Sequence, residues 1–252
     1  MAELFPVCIA SKNRPAGRTM QLLLAEEVPF TLFVEPQDEA VYRQQFDSPL
    51  VEVRTIPEND RGLPFVRQFI LEDRRRAEGG PWFWLLDDDI DGFFLTANKK
   101  THRLPVRDAL TGAQEIFAGA EDVAQAGLEY QQFAWSATRD AVFNSYCDVA
   151  VCIHVGRSRM AAFRPETDLK CDRDFTLQLI SQGFRVAKVQ RFSFSAPKNG
   201  SNAGGLKDAY ATDGREMASS LKMCELWPGV CELKIKPDGR PDVKIHWRAM
   251  QA

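Results

Sequence analysis

Four carboxylates that directly follow an apolar run are the strongest chemical signal in this chain. The run Trp82–Leu86 is typical of a buried strand, and the acids are Asp87, Asp88, Asp89 and Asp91. Because an unpaired buried charge is costly, these acids are expected at the carboxyl end of the strand, where open α/β sheets bind ligands. Clustered carboxylates repel one another unless a cation joins them, which favours magnesium or manganese held together with a substrate diphosphate. An acidic turn that caps a helix is the simpler alternative, but a cap needs one acid rather than four.

Strands and helices that alternate along the chain must position these acids. Strands are predicted at 5–10, 30–34, 51–56 and 82–86, with helices near 19–27, 38–46 and 63–77. This alternation predicts an α/β fold, a mostly parallel sheet with helices on both faces. The rest of the chain is predicted to mix helices at 108–127, 174–182 and 213–226 with strands at 130–136, 147–155, 186–195 and 243–247.

The bulk composition limits the possible classes of function. The net charge of −3 excludes a protein that is cationic overall, so nucleic acid would have to bind a local basic face. The apolar runs are too short to span a bilayer, and we expect no membrane association and no signal peptide. Six cysteines without a C-x-x-C pair indicate reduced thiols in a cytoplasmic protein. A chain of 252 residues can bury enough surface for a stable monomer.

Several further motifs occur in a definite order around the acidic run. They are Ser11–Pro15, Val34–Pro36, Gly62–Arg67, Asp87–Ile90, Asp172–Phe175 and Gly200–Leu206. The acidic run resembles the D-x-D motif of the GT-A-type, Rossmann-like glycosyltransferases, and the ordered set is similar to the TET/JBP-associated glycosyltransferases of bacteriophages, which are related to the GREB-type domain. The resemblance implies transfer of a sugar from a nucleotide donor, UDP-hexose, to a hydroxymethylated pyrimidine, 5-hydroxymethylcytosine, in phage DNA. It also implies one domain over residues 1–252, with a donor half at 1–97 and an acceptor half at 98–252.

The resemblance implies a role for each acid of the run. Asp89 is expected to be the main ligand of Mn²⁺ or Mg²⁺, and Asp87 to contact the ribose or, through water, the metal. Asp88 points to the opposite face of the extended chain and is expected to orient its neighbours in the nucleotide-sugar site. Many metal-dependent GT-A enzymes use a late histidine as a ligand, which places His246 there; a structural histidine near a strand end is the alternative.

Candidate donor contacts lie after the first two strands and on the third helix. Ser11 and Arg14 belong to the first loop, Glu35 ends the second strand, and Arg67 lies on the helix. Each arginine offers a rigid fork of donors to a diphosphate or ribose, and Glu35 is a candidate acceptor of hydrogen bonds from the nucleoside. The alternatives are an ordinary strand-end acid for Glu35 and a surface residue for Arg67.

An acidic pair before a helix supplies the candidate catalytic residues, Asp172 and Asp174. The resemblance is to the Glu-Asp pair of inverting GT-A enzymes, whose Asp is the catalytic base. Cys171 stands where that pattern has Glu, and Asp172 aligns with the base that deprotonates the acceptor hydroxyl. The alternative is that either aspartate caps the helix.

Cations of the second half are the candidate contacts for DNA phosphates. They are Arg157, Arg159, Arg164 and Lys198, joined by Asn202, with Lys99, Lys100, Arg103, Lys170 and Arg173 as possible members of one basic face. The target base would be flipped out of the stack to reach the site. The glycine-rich loop 199–205 is expected either to close over donor or acceptor or to be a plain surface loop.

Three other functions remain open from the sequence. The acceptor of a GT-A glycosyltransferase could be a glycan or a small molecule rather than DNA. The chain could be a catalytically inactive GT-A-like binding module, although such a module need not keep the carboxylate run. A metal-dependent nucleotidyltransferase also uses a carboxylate pair on an α/β sheet, and would release different products from the donor.

Overall fold

The computed structural model describes residues 3–197 and 214–250. The strands are β1 Val7–Ala10, β2 Phe30–Val34, β3 Val51–Thr55, β4 Trp82–Asp87, β5 Gly92–Ala97, β6 Lys100–Leu104, β7 Val123–Tyr130, β8 Ala141–Phe143, β9 Ala150–His154, β10 Arg185–Ser195, β11 Cys231–Ile235 and β12 Pro241–Ile245. The helices are α1 Arg18–Ala25, α2 Glu39–Gln45, α3 Leu63–Arg76, α4 Val106–Phe117, α5 Gln131–Ala134, α6 Cys171–Ser181 and α7 Arg215–Leu226, with 3₁₀ turns at Pro165–Lys170 and Trp247–Met250. Lys198, Asn202 and the loop 199–205 lie outside the described residues.

Ten strands form one sheet in the order β3-β2-β1-β4-β9-β7-β10-β5-β6, and β8 pairs with β10. Strands β1 to β4 are parallel, and β9 runs antiparallel between β4 and β7. Since β10 is parallel to β7, the strands β1, β2, β4, β7 and β10 all end at the same side, which we call the carboxyl edge. The predicted α/β fold is confirmed, with a parallel half followed by a mixed half.

The apolar runs form strands because both faces of the sheet are covered. In β4, Trp84 and Leu86 pack into a cluster with α1 and α4, whereas Phe83 and Leu85 pack with α3 and α6 on the other face. All of Trp82–Leu86 is buried, and the first exposed side chain of the strand is that of Asp87. The expectation that the acids begin where the core ends is therefore confirmed.

One predicted helix differs from the structure. The helix predicted at 108–127 ends at Phe117, and Val123–Tyr130 is the central strand β7. Its alanines and glycine, which suggested a helix, are small because β7 is buried between β9 and β10. A Cβ atom on Gly127 would lie 2.4 Å from Cβ of Cys147. The strand predicted at 130–136 is instead the end of β7 and the short helix α5.

No helix within the described ranges is both long and apolar enough to cross a membrane.

Candidate functional site

A cavity lies at the carboxyl edge. Its volume is about 1130 Å³, which includes the solvent-filled space at its mouth. Its polar lining consists of Ser11, Lys12, Arg14, Glu35, Arg67, Asp87, Asp88, Asp89, Asp148 and Asp172, and its apolar walls include Phe33, Ile56, Leu63, Val66, Val149 and Leu169. The ends of β1, β2 and β4 thus meet the start of α6. Apolar walls with a few convergent polar side chains are typical of a ligand-binding site.

Asp88 holds the loop that follows β1. Ser11 Oγ donates to Asp88 Oδ2 at 2.5 Å, and Arg14 Nη1 lies 2.7 Å from Asp88 Oδ1 and 3.1 Å from Asp89 Oδ2. The hydroxyl of Tyr42 lies 2.6 Å from Ser11 Oγ and accepts a hydrogen bond from the amide of Arg14. Burial raises the pKa of Asp88, while Arg14 and Ser11 act in the opposite direction. Both oxygens of Asp88 are therefore engaged by the first loop.

The backbone of the acidic turn is locked by the start of α1. Thr19 Oγ1 donates to the carbonyl of Asp87 at 2.6 Å and accepts from the amide of Ile90 at 2.9 Å. A Cβ on Gly17 would lie 2.8 Å from the carbonyl oxygen of Asp88, which leaves no room for a larger residue. These contacts hold the carboxylates in place before any ligand arrives.

Glu35 is placed at the end of β2, as predicted, and is buried. It accepts hydrogen bonds from Lys12 Nζ at 3.0 Å, from the amide of Asp60 at 3.0 Å and from Gln37 Nε2 at 2.6 Å. Lys12 also pairs with Asp60. Glu35 therefore ties together the loops that follow β1, β2 and β3 at the rim of the cavity.

Arg67 joins the acid of β4 to the acid of α6. Its side chain is only 5% exposed, Nη2 lies 3.0 Å from Asp87 Oδ1, and Nη1 pairs with Asp172. Burial raises the pKa of Asp87 to about 6, although Arg67 opposes this shift, and the neighbouring Asp89 adds to it. Arg67 lines the cavity, as predicted. Its guanidinium, however, pairs with the carboxylates of Asp87 and Asp172.

Arg67→Met is expected to lower the free energy of unfolding by about 3 kcal/mol, because Asp87 and Asp172 would lose their shared cation. Urea denaturation of the two proteins measures this change. Arg61→Met is the matched control: Arg61 is 52% exposed and pairs with Glu58, so its loss should cost no more than about 0.5 kcal/mol. Equal unfolding midpoints for wild type and Arg67→Met would contradict the assignment.

The two acids in the first turn of α6 have different environments. Asp172 reaches the cavity and is 22% exposed, whereas Asp174 is fully buried. Asp174 accepts hydrogen bonds from Arg164 Nε, Gln178 Nε2 and Trp227 Nε1, each at 2.8 Å. Residues two apart on a helix point to different faces, so only one of the pair can face the cavity. Asp174 and Arg164 are thus partners in the packing of α6, and neither lines the cavity. The N-cap residue of α6 is Lys170, so neither aspartate occupies the capping position.

Arg157 and Arg159 lie at the edge of the sheet opposite the cavity. Arg157 Nη1 donates to the carbonyls of Ala120 and Val123 at 2.8 and 2.6 Å, and its guanidinium lies 5.8 Å from the ring centroid of Trp82. Since Trp82 begins β4 and Asp87 ends it, about 17 Å separate the two ends of the strand. The expectation that these arginines contact an acceptor beside the acids does not fit this placement, because β9 runs antiparallel to β4.

His246 follows β12 on a small separate sheet formed by β11 and β12. Its Nε2 lies 3.0 Å from Glu232 Oε2, and the side chain is 43% exposed. His246 is not among the residues that line the cavity. The structure therefore does not bring it to the carboxylates that it was expected to join.

Asp148 lines the cavity and was not singled out from the sequence. It accepts a hydrogen bond from the Tyr130 hydroxyl at 3.2 Å, and burial raises its pKa against the pull of Lys188 and Arg173. The next residue, Val149, has φ 62°, a strained conformation for a β-branched side chain, and its carbonyl accepts from the amide of Asp87 at 2.8 Å. The signal in the sequence was one acid inside an apolar run predicted as a strand.

The acidic side chains that line the cavity offer carboxylate oxygens, which are the ligands that a hard divalent cation prefers. Within residues 3–197 and 214–250, no group of three or more His, Cys, Asp or Glu side chains is arranged to hold a metal. Mg²⁺ is usually held by only one or two carboxylates, with substrate phosphates and water completing its shell.

Comparisons with known proteins identify similarities of sequence and of fold. The profile of the family described as TET-Associated Glycosyltransferase matches residues 5–205, most of the chain. No curated protein matches the sequence significantly. The inositol-1-phosphate CTP transferase from T. maritima superposes with a TM-score of 0.47 and 10% identity over 78% of this chain and 90% of that chain. The galactosyltransferase LgtC, in complex with donor and acceptor sugar analogues, superposes with a TM-score of 0.40 and 12% identity over 73% of each chain.

Proposed function

Because the chain belongs to the TET-associated glycosyltransferase family and is a glycosyltransferase, we propose that it moves a hexose from a UDP-sugar to the hydroxymethyl group of a 5-hydroxymethylpyrimidine, 5-hydroxymethylcytosine, in DNA. The observation that carries the proposal is the meeting of Asp87 and Asp89 with Asp172 in one cavity. Donor-side residues from 1–97 and acceptor-side residues from 98–252 both line it. We further expect a monomer in the cytoplasm.

The donor would bind with its diphosphate beside the acidic turn. Asp89 and Asp87 would hold Mn²⁺ or Mg²⁺, which when bound supplies positive charge to the leaving diphosphate. Arg14 lies beside both Asp88 and Asp89, so its guanidinium is close enough to turn to a phosphate without moving the loop. Glu35, at the rim, is the candidate acceptor for the nucleoside.

Asp172 is the proposed base. Its carboxylate would take the proton of the acceptor hydroxyl while that oxygen bonds to the anomeric carbon of the sugar. The bond from the anomeric carbon to the diphosphate breaks in the same step, and the nucleoside diphosphate leaves with the electron pair. Arg67 orients both Asp172 and Asp87, which fixes the base relative to the donor side.

A transfer assay tests the proposal. Duplex and single-stranded DNA that contain 5-hydroxymethylcytosine are incubated with Mn²⁺ or Mg²⁺ and a panel of UDP-sugars, then digested to nucleosides and analysed by mass spectrometry. A hexose-sized gain that requires the metal and is absent from unmodified cytosine is the expected result.

Three other outcomes would redirect the assignment. Metal-dependent release of nucleoside diphosphate without a change in the DNA would keep the transferase but overturn the DNA acceptor, in favour of a glycan or small molecule. Cleavage of the UDP-sugar to UMP and sugar 1-phosphate, or release of inorganic diphosphate when a nucleoside triphosphate is supplied in its place, would indicate the nucleotidyltransferase reaction instead. Neither transfer nor hydrolysis in folded protein would leave the inactive binding module as the better explanation.

A further inference from the structure

Two large aromatic side chains are exposed on and just after α5, which follows the carboxyl end of β7, and a group of exposed cations lies on neighbouring segments. Phe133 is 57% exposed and Trp135 is 56% exposed, at and just beyond the end of α5. Lys99 and Lys100 of the β5–β6 hairpin and Arg139 are also exposed. We call these five residues the aromatic–basic surface. Neighbouring exposed aromatics on a soluble protein mark an interaction site more often than single exposed apolar residues do.

The aromatic–basic surface is continuous with the candidate site. Tyr130 ends β7 at the carboxyl edge and donates its hydroxyl hydrogen bond to Asp148, which lines the cavity. On its other side, the ring of Tyr130 meets that of Phe133 edge to face, with 6.4 Å between the centroids. A chain of aromatic rings therefore leads from the cavity to the protein surface.

The hairpin and α5 are held together as one surface. Gln131 Nε2 donates to Thr101 Oγ1 at 3.0 Å, which links α5 to β6. Leu95–Asn98 of the hairpin and Ala137–Asp140 of the segment after α5 line a shallow groove together with Gln190 and Arg191. Of the aromatic–basic surface, Arg139 lines this groove, and Lys99 and Lys100 follow Asn98, which also lines it.

The charge of this surface is positive. No ion pair within residues 3–197 and 214–250 involves Lys99, Lys100 or Arg139. Asp140, the acid in the groove, is paired with Arg191 at 3.7 Å. Lysines on an edge strand also prevent sheets from pairing edge to edge, but that purpose gives no reason to expose Phe133 and Trp135. Aromatic faces beside unpaired cations are the combination that binds unstacked nucleic acid, through base stacking and phosphate contacts.

We propose that the aromatic–basic surface binds the DNA strand that flanks the target nucleotide, with Trp135 and Phe133 stacking on bases and Lys99, Lys100 and Arg139 contacting phosphates. The inference rests on the DNA acceptor of the proposed function and assigns its contacts. It takes the place of Arg157 and Arg159. The β5–β6 hairpin extends away from the carboxyl edge, because β5 begins there at Gly92 and runs antiparallel to β10, so its lysines would contact phosphates at some distance from the target nucleotide. A flipped target base would reach Asp172 past Tyr130, along the chain of rings.

The test measures binding of a fluorescent single-stranded oligonucleotide containing 5-hydroxymethylcytosine, by anisotropy over a range of salt concentrations. The Phe133→Ala/Trp135→Ala variant is expected to weaken binding by about tenfold or more. The Lys99→Glu/Lys100→Glu variant is expected to reduce the salt dependence of log K by about 1.4 in slope. Metal-dependent hydrolysis of the UDP-sugar should remain at the wild-type rate in both, which also shows that they are folded. Arg159→Glu, an exposed charge reversal at the opposite edge, is the matched control and should bind as wild type.

The outcomes separate this inference from the proposed function. Wild-type DNA binding by both surface variants, with transfer to DNA intact, would overturn the aromatic–basic surface and leave the DNA acceptor standing. Weakened binding in Arg159→Glu alone would move the DNA to the opposite edge. If wild type hydrolyses the donor but neither binds nor modifies DNA, the DNA acceptor fails and this inference fails with it.

Discussion

Asp172→Asn is expected to lower the rate of sugar transfer by about 10²- to 10⁴-fold, the range in which a general base contributes to catalysis. The amide keeps the shape of the side chain but cannot take the proton of the acceptor hydroxyl. Binding of the donor should be little affected, because the donor contacts assigned above lie on the loops after β1 and β2 and on the acidic turn. The effect should therefore appear in kcat rather than in the KM for the UDP-sugar.

Asp174→Asn is the matched control, two residues along the same helix. Asp174 is buried against Arg164 and Trp227 and does not line the cavity, so its substitution should lower the free energy of unfolding rather than kcat. Steady-state kinetics and urea denaturation on both variants separate the two effects. If Asp172→Asn kept wild-type kcat while Asp174→Asn lost activity in stable protein, the assignment of the base would have to be exchanged.

Asp89→Ala is expected to reduce transfer by about a hundredfold or more, because the several kcal/mol that a bound cation contributes to the departing diphosphate would be lost. Asp89 lies two residues after Asp87, the acid that ends β4. Its side chain is 26% exposed at the cavity, where a cation and a diphosphate can both reach it. The variant should also lose the dependence of UDP binding on Mn²⁺, which calorimetry measures without any catalytic step.

Asp91→Ala tests whether position within the acidic run matters. Asp91 belongs to the same run of acids, but it pairs with Arg18 at the surface and is not part of the cavity lining. Transfer and Mn²⁺-dependent UDP binding should stay near the wild-type values in this variant. Equal losses in Asp89→Ala and Asp91→Ala would indicate that the negative charge of the whole turn matters, rather than a ligand at Asp89.

Local patterns in the sequence were sufficient to bring together the residues of the proposed donor side. The run Trp82–Leu86 had to be a buried strand, and the acids after it had to lie where the core ends. Polar loops after the first two strands then had to meet those acids, because parallel neighbouring strands end at one edge. Ser11, Arg14 and Glu35 do line the same cavity as Asp87. The family was also recognisable from the order of its motifs, and the match over residues 5–205 confirms it.

The proposed acceptor side depended on contacts that no local pattern encodes. Asp172 and Asp174 read alike in the sequence, yet packing of α6 against Trp227 and Arg164 buries one and leaves the other facing the cavity. Asp148 lines the cavity beside Val149, whose φ of 62° belongs to the segment before β9.

The direction of strand β9 decided where the candidate DNA-binding cations lie. The sequence of the cations between β9 and α6 does not indicate at which edge of the sheet they lie. The antiparallel pairing of β9 with β4 places Arg157 and Arg159 far from the acids. The sequence determines which residues are buried and where each element ends, because burial follows from hydrophobic periodicity over a few residues. Only the tertiary structure decides which ends meet, because strand order and direction are set by the packing of the whole sheet.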